Sequence, residues 1–140
     1  MYFYVLALHN TFRWIALVFL VYSLCRSVNG YYSKRSFSKA DNAFRHWTAT
    51  ILQIQMMLGL VLYFYSPFVD TGFFAIVHPV VMFIAVTIAS VGSALAKRKP
   101  TDHQKFSTML AWFAIALIII AVMIPWPFSP FAQRPYIRPL

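Results

Sequence analysis

Four stretches of about twenty mostly apolar residues run along this chain, separated by short polar segments. Each is about as long as a helix must be to cross the ~30 Å hydrocarbon layer of a bilayer. The pattern predicts spans at about 2–25, 44–65, 72–96 and 106–124, in a single transmembrane domain over residues 1–140. An all-α, integral membrane four-helix bundle is the expected fold. Polar and breaking residues mark the ends. Ser66-Pro67 stops the second stretch, and Pro125-Trp126-Pro127-Phe128 cannot continue the fourth. Thr101 or Asp102 is the expected N-cap of the last helix. Ser38, Asp41 and Asn42 are candidate caps in the first connector and permit a short surface helix at the inner interface.

Composition agrees with the pattern: 61% of residues are hydrophobic and 11% charged, far from a soluble domain's balance. A net charge of +9 would suggest nucleic acid if it formed one basic face. It does not. Five of the 12 Lys and Arg residues (Arg26, Lys34, Arg35, Lys39, Arg45) fall between the first two stretches, and Lys97, Arg98, Lys99 and Lys105 fall between the last two. Short basic loops stay cytoplasmic, so the expected topology has both termini outside. The second loop, 66–71, carries no Lys or Arg. Aromatic clusters at Tyr2–Tyr4, Tyr63–Tyr65, Phe73-Phe74 and Trp126 with Phe128 all fall at the outer boundary, as interfacial belts do. Cys25 is alone, which excludes a disulfide framework. The N-terminal stretch lacks a basic n-region, is too long for a signal-peptide core and contains Arg13, so it is expected to be a retained span.

Ionisable residues inside spans are costly and mark function first. The chain has no Glu, and Asp41, Asp70 and Asp102 fall in loops or at span ends, which argues against a proton or cation relay. His9 and His78 lie in the outer halves of spans one and three, each about seven residues, or ~10 Å, from its outer end. Two imidazoles at matched depth can face each other across a bundle and ligate a haem iron from both sides. The plainer alternative is that each hydrogen-bonds a neighbouring helix. Along the face of His78 follow Met82, Ala85, Ala89 and Gly92, small enough to admit a flat macrocycle or a close helix. Arg13, four residues after His9, shares its face and can meet a haem propionate, a quinone oxygen or a helix carbonyl. His46 and His103 form a weaker pair near the inner surface. His46, Thr50, Gln53 and Met57 share one helical face, expected to point into the bundle or line a small-ligand site.

The segments Leu8-His9-Asn10-Thr11-Phe12-Arg13-Trp14, Met57-Leu58-Gly59-Leu60-Val61-Leu62-Tyr63-Phe64, Val77-His78-Pro79 and Ile124-Pro125-Trp126-Pro127-Phe128 together resemble small cytochrome b-like membrane proteins of the Bacteroidota type. The resemblance covers nearly the whole chain. It implies a four-helix b-haem fold in which His9 and His78 match the recurrent histidines. Relatives often carry a third histidine near Gln53, which this chain lacks, so the resemblance implies one haem b, with a second permitted.

The expected function is that of an electron carrier or complex subunit rather than a stand-alone enzyme. Haem b would be held by His9 and His78, among membrane lipids, and electrons exchanged with a quinone or another membrane redox subunit. Two other classes stay open: a cofactor-free scaffold or accessory subunit of a larger membrane complex, and a quinone- or lipid-binding module using Thr50, Gln53 and Gln55.

Overall fold

A computed structural model describes residues 1–66 and 72–126. Among these, the chain is all-helical: α1 (Tyr2–Ser33), α2 (Lys39–Tyr65), α3 (Val77–Arg98) and α4 (Asp102–Met123), with a short 3-10 turn at Gly72–Phe74 before α3. All four long helices are long and apolar enough to cross a membrane. The break at Pro67, Asp70 and the tail from Pro127 onward lie outside the described residues.

Each boundary follows from local chemistry. α1 runs well past the expected end of its span and stops where Lys34 turns left-handed (φ 52°), the only described non-glycine residue with positive φ. α2 starts at a capping box: the Asp41 amide donates to Ser38 Oγ at 3.2 Å, while the Ser38 amide donates to Asp41 Oδ2 at 2.9 Å. The connector therefore forms no separate surface helix; its capping residues open the second span itself. Thr101 caps α4, its hydroxyl accepting from the Gln104 amide at 3.3 Å. α3 begins at Val77 rather than near residue 72, which puts Pro79 in the first turn, where its missing N–H costs nothing.

In the bundle α1 packs on α2 and α4, and α3 packs on α2 and α4, so α1 and α3 sit diagonally opposite. Short connectors at 34–38 and 99–101 make sequential neighbours antiparallel. Outward positions such as Val18, Phe83, Ile118 and Val122 are apolar and exposed, as lipid-facing side chains are.

Packing differs between the two halves. The buried residues of α1 are Ala16, Leu20, Ser23, Ser27 and Gly30, and those of α2 end at Leu52. In α3 they begin only at Ala85. The solid core therefore fills the half nearer the 34–38 and 99–101 connectors. There Phe106 and Phe113 insert against small partners; a Cβ on Gly30 would come within 2.4 Å of the Phe106 ring. Polar pairs tie the same half together: Ser23 Oγ lies 2.6 Å from Thr48 Oγ1, and Arg45 Nη1 donates to both the carbonyl (2.9 Å) and the hydroxyl (2.7 Å) of Ser93. Such short-side-chain contacts replace the hydrophobic driving force that lipid removes.

At the end of that half, beside the 34–38 connector, the Asp41 carboxylate is fully shielded and receives Arg26 at 2.8 Å and Arg35 at 2.6 Å. It lies in the polar first turn of α2, ahead of the apolar stretch that begins near Phe44. Burial by itself would push this carboxyl up, but the Arg35 guanidinium, the Ser38 amide and hydroxyl and Arg26 outweigh it and hold the group well below the usual carboxylate range.

Candidate functional site

Where the solid core stops, a partly open cleft of about 200 Å³ begins, lined by residues of all four long helices. Its lining on α1 runs from Tyr2 to Leu17, about 22 Å at 1.5 Å per residue. The volume is only a little above the ~150 Å³ of an apolar cavity that holds benzene.

His9 and His78 both line this cleft, one from each of the diagonal helices. Matched depth in the sequence becomes a shared wall in the fold. Arg13 and Asn10 line it beside His9, and Met82 lines it one turn beyond His78. The rest of the wall is largely apolar, with Leu52, Met56, Leu60, Val86 and Ile120 toward the core.

The polar atoms are in distinct states. His78 Nδ1 lies 3.1 Å from the Met123 carbonyl oxygen, which can only accept. Nδ1 must therefore carry the hydrogen, and in the neutral ring the lone pair sits on Nε2. Met123 is the last residue of α4, so its carbonyl lacks a helical partner and is free for this bond. His9 faces α2: Gln55 Nε2 lies 3.2 Å from Nδ1 and 3.3 Å from Nε2 of its ring, and donates to the His9 carbonyl at 3.0 Å. Two buried polar atoms among the described residues have no hydrogen-bond partner, Arg13 Nε and Gln55 Oε1, and both residues line the cleft. The Arg13 guanidinium carbon lies 5.3 Å from the ring centroid of exposed Trp14.

Other expected site residues are elsewhere. Ala85, Ala89 and Gly92 do not line the cleft. Ala85 and Ala89 are fully buried in the core, and a Cβ on Gly92 would meet Trp112 Cβ at 2.2 Å, so this face exists to let α4 approach. The face of His78 meets the cleft through Met82 and Val86 and then turns into the α3–α4 interface. His46 and Gln53 are exposed on the outside of α2 rather than directed inward, Gln53 bonding Ser90 Oγ at 3.0 Å. His103 is exposed and stacks on Tyr31, centroids 4.4 Å apart. Neither inner histidine reaches the cleft. Its α2 wall is formed instead by Leu52, Gln55, Met56 and Gly59. Their i, i+3, i+4, i+7 spacing is visible in the sequence, but the polar stripe one face away drew attention from it.

No group of three or more His, Cys, Asp or Glu side chains placed to hold a metal ion occurs among the described residues. The nitrogen donors at the cleft are the two imidazoles. No family model, curated protein or solved structure matches this chain.

Proposed function

We propose that this protein is a membrane electron carrier, or the electron-transfer subunit of a larger complex, that holds haem b between His9 and His78. The observation that carries the reading is the arrangement of His78: Nδ1 donates to a backbone carbonyl, which leaves the lone pair on Nε2, and the residue lines the same cleft as His9. Ligating histidines are held in this way, the second ring nitrogen anchored so that the first is oriented and made more basic. The donor set suits the group in other respects. Two imidazoles come from diagonal helices, and the unpartnered Arg13 Nε can pair with a carboxylate. Entry of a macrocycle requires the outer ends of α1 and α3 to separate, and the side chains there make no solid core to prevent it.

Haem b, when bound, supplies reversible one-electron transfer. The chain's own residues orient and shield it: His78 is fixed through Met123, Arg13 offsets negative charge, and Met82 and Val86 set the polarity of the wall. The electron partner is a quinone or another membrane redox protein. We place both termini outside and the basic connectors in the cytoplasm of a bacterial inner membrane, because Lys34, Arg35, Lys97, Arg98 and Lys99 gather at the end of the bundle opposite the cleft.

The test is the reduced-minus-oxidised spectrum of protein purified in detergent after expression with ample haem. A Soret band that is retained in His46→Ala and His103→Ala but lost in His9→Ala and His78→Ala is the expected result. Wild-type protein with no Soret band would overturn the reading and leave a cofactor-free accessory subunit as the better description.

A further inference from the structure

Outward residues such as Val18, Ile115, Ile118 and Val122 are apolar, as lipid requires. One strip departs from this. On α2, His46, Thr50 and Gln53 follow one another at helical spacing. On the neighbouring α3, Thr87 and Ser90 run beside them, joined by the bond from Gln53 Nε2 to Ser90 Oγ at 3.0 Å. Gln53 and Thr87 are exposed and Ser90 is half-buried.

The depth of this strip makes it costly. Gln53 stands near the middle of the 27-residue α2, and Thr87 and Ser90 near the middle of the 22-residue α3, so the strip crosses the centre of the hydrocarbon layer. No water is present there to satisfy what the protein leaves open. The two threonines turn back on their own helices: Thr50 Oγ1 donates to the His46 carbonyl at 3.1 Å and Thr87 Oγ1 to the Phe83 carbonyl at 2.8 Å. The Gln53 amide is too richly endowed for that. It carries two N–H donors and an acceptor oxygen, and Ser90 engages one of these groups among the described residues. Whichever end of the amide faces Ser90, a donor and an acceptor are left over at the lipid surface.

A donor and an acceptor on one group are what another copy of that group needs. Every copy of this chain inserts the same way round, because its basic connectors lie at one end. A two-fold axis relating two copies therefore runs along the membrane normal and sets each residue opposite residues of its own depth. A different polypeptide would need a polar group placed independently at this depth, whereas a second copy brings one by symmetry. The short side chains of Thr50, Thr87 and Ser90 beside it let the helices approach closely. We infer that the α2–α3 face around Gln53 is the interface of a symmetric dimer in the membrane, with the two Gln53 amides paired across the two-fold axis. None of these residues lines the cleft, so the dimer forms with or without haem.

The test is energy transfer between copies labelled at Lys99→Cys in a Cys25→Ser background, mixed in phosphatidylcholine vesicles and followed as lipid is added. Wild type should transfer energy and lose it on dilution, and Gln53→Leu should dissociate on the order of tenfold more readily. Ser90→Ala, which cuts only the bond within one copy, should keep the association. Gln53→Glu should associate while its acid is protonated and separate at high pH, since two carboxylates offer no donor. In a second arm that retains Gln53, an oxidant should join Thr50→Cys chains, in the same Cys25→Ser background, into a species of twice the chain mass. Ile118→Cys, on α4, should stay single. Absence of transfer in wild type, transfer unchanged in Gln53→Leu, or equal weakening in Ser90→Ala would overturn the dimer. Cross-linking of Thr50→Cys in native membranes to a different chain alone would do the same.

Discussion

The imidazole of His78 bridges two helices: from the first turn of α3 its Nδ1 reaches the Met123 carbonyl, 3.1 Å away, at the last residue of α4. The contact ties the start of α3 to the end of α4 and fixes the tautomer in one bond. His78→Ala is therefore expected to do two separable things. Haem retention should be lost, and the apoprotein should lose about 1 kcal/mol, the net worth of one neutral hydrogen bond. His78→Asn, whose amide can still donate, should recover part of the stability and none of the Soret band. Thermal unfolding in detergent, read beside the spectrum, checks both.

Asp41 gathers the inner end of the bundle. Removing it in Asp41→Ala breaks the side-chain half of the capping box of α2 and takes the carboxylate from Arg26 and Arg35. Breaking a buried ion pair costs ~3–5 kcal/mol when the orphaned charge stays buried. Both arginines are partly exposed, at 24% and 31% of their side-chain surface, and can rehydrate, so the expected loss is about 3 kcal/mol. Denaturation midpoints of the two proteins provide the measurement.

The same carboxylate sets a pH limit. Its proton affinity is lower in the folded protein than in the unfolded chain, so its stabilising contribution is full above the unfolded carboxylate value of about 4. It is lost as pH falls below that value. Stability should change little from this source between pH 7 and 5 and then decline. In Asp41→Asn the decline below pH 4 should be shallower, and equal slopes would refute the assignment.

Gly92 and Gly30 are sites of close helix approach at the inner half. A methyl at Gly92 would overlap Trp112 Cβ and Cγ, close to its backbone, where the neighbour cannot swing away. Overpacking of this kind costs about 1–3 kcal/mol. Gly92→Ala should lower stability by that amount while haem content per folded molecule stays constant. A haem-depleted but equally stable Gly92→Ala protein would return this face to the cofactor site.

Topology is open to labelling. In a Cys25→Ser background, a cysteine replacing Lys99 should react with an impermeant maleimide only from the cytoplasmic side, and one replacing the exposed Ile76 only from the outside. The opposite pattern at both positions would invert the orientation.

The four long apolar helices and the caps that open the second and fourth were legible in the sequence because each depends on local properties: run length and capping residues; the far end of α1 and the start of α3 were not, since α1 runs on to Ser33 and α3 begins only at Val77. That His9 and His78 belong together was legible too, since ionisable residues among apolar ones stand out without any fold, and both line the one cleft. What lay beyond the sequence was relative rotation. Ala85, Ala89 and Gly92 carry a small-residue signal that serves a macrocycle or a helix equally, and only the approach of Trp112 on α4 decided for the helix. The stripe of His46, Thr50 and Gln53 is periodic, yet periodicity names a face without saying whether it turns inward. In lipid the inward and outward faces are both apolar, so the usual hydrophobic cue is lost. The bonds of His9 to Gln55 and of His78 to Met123 join residues 46 and 45 positions apart in the chain. They exist only because the tertiary structure brings α1 against α2 and the start of α3 against the end of α4.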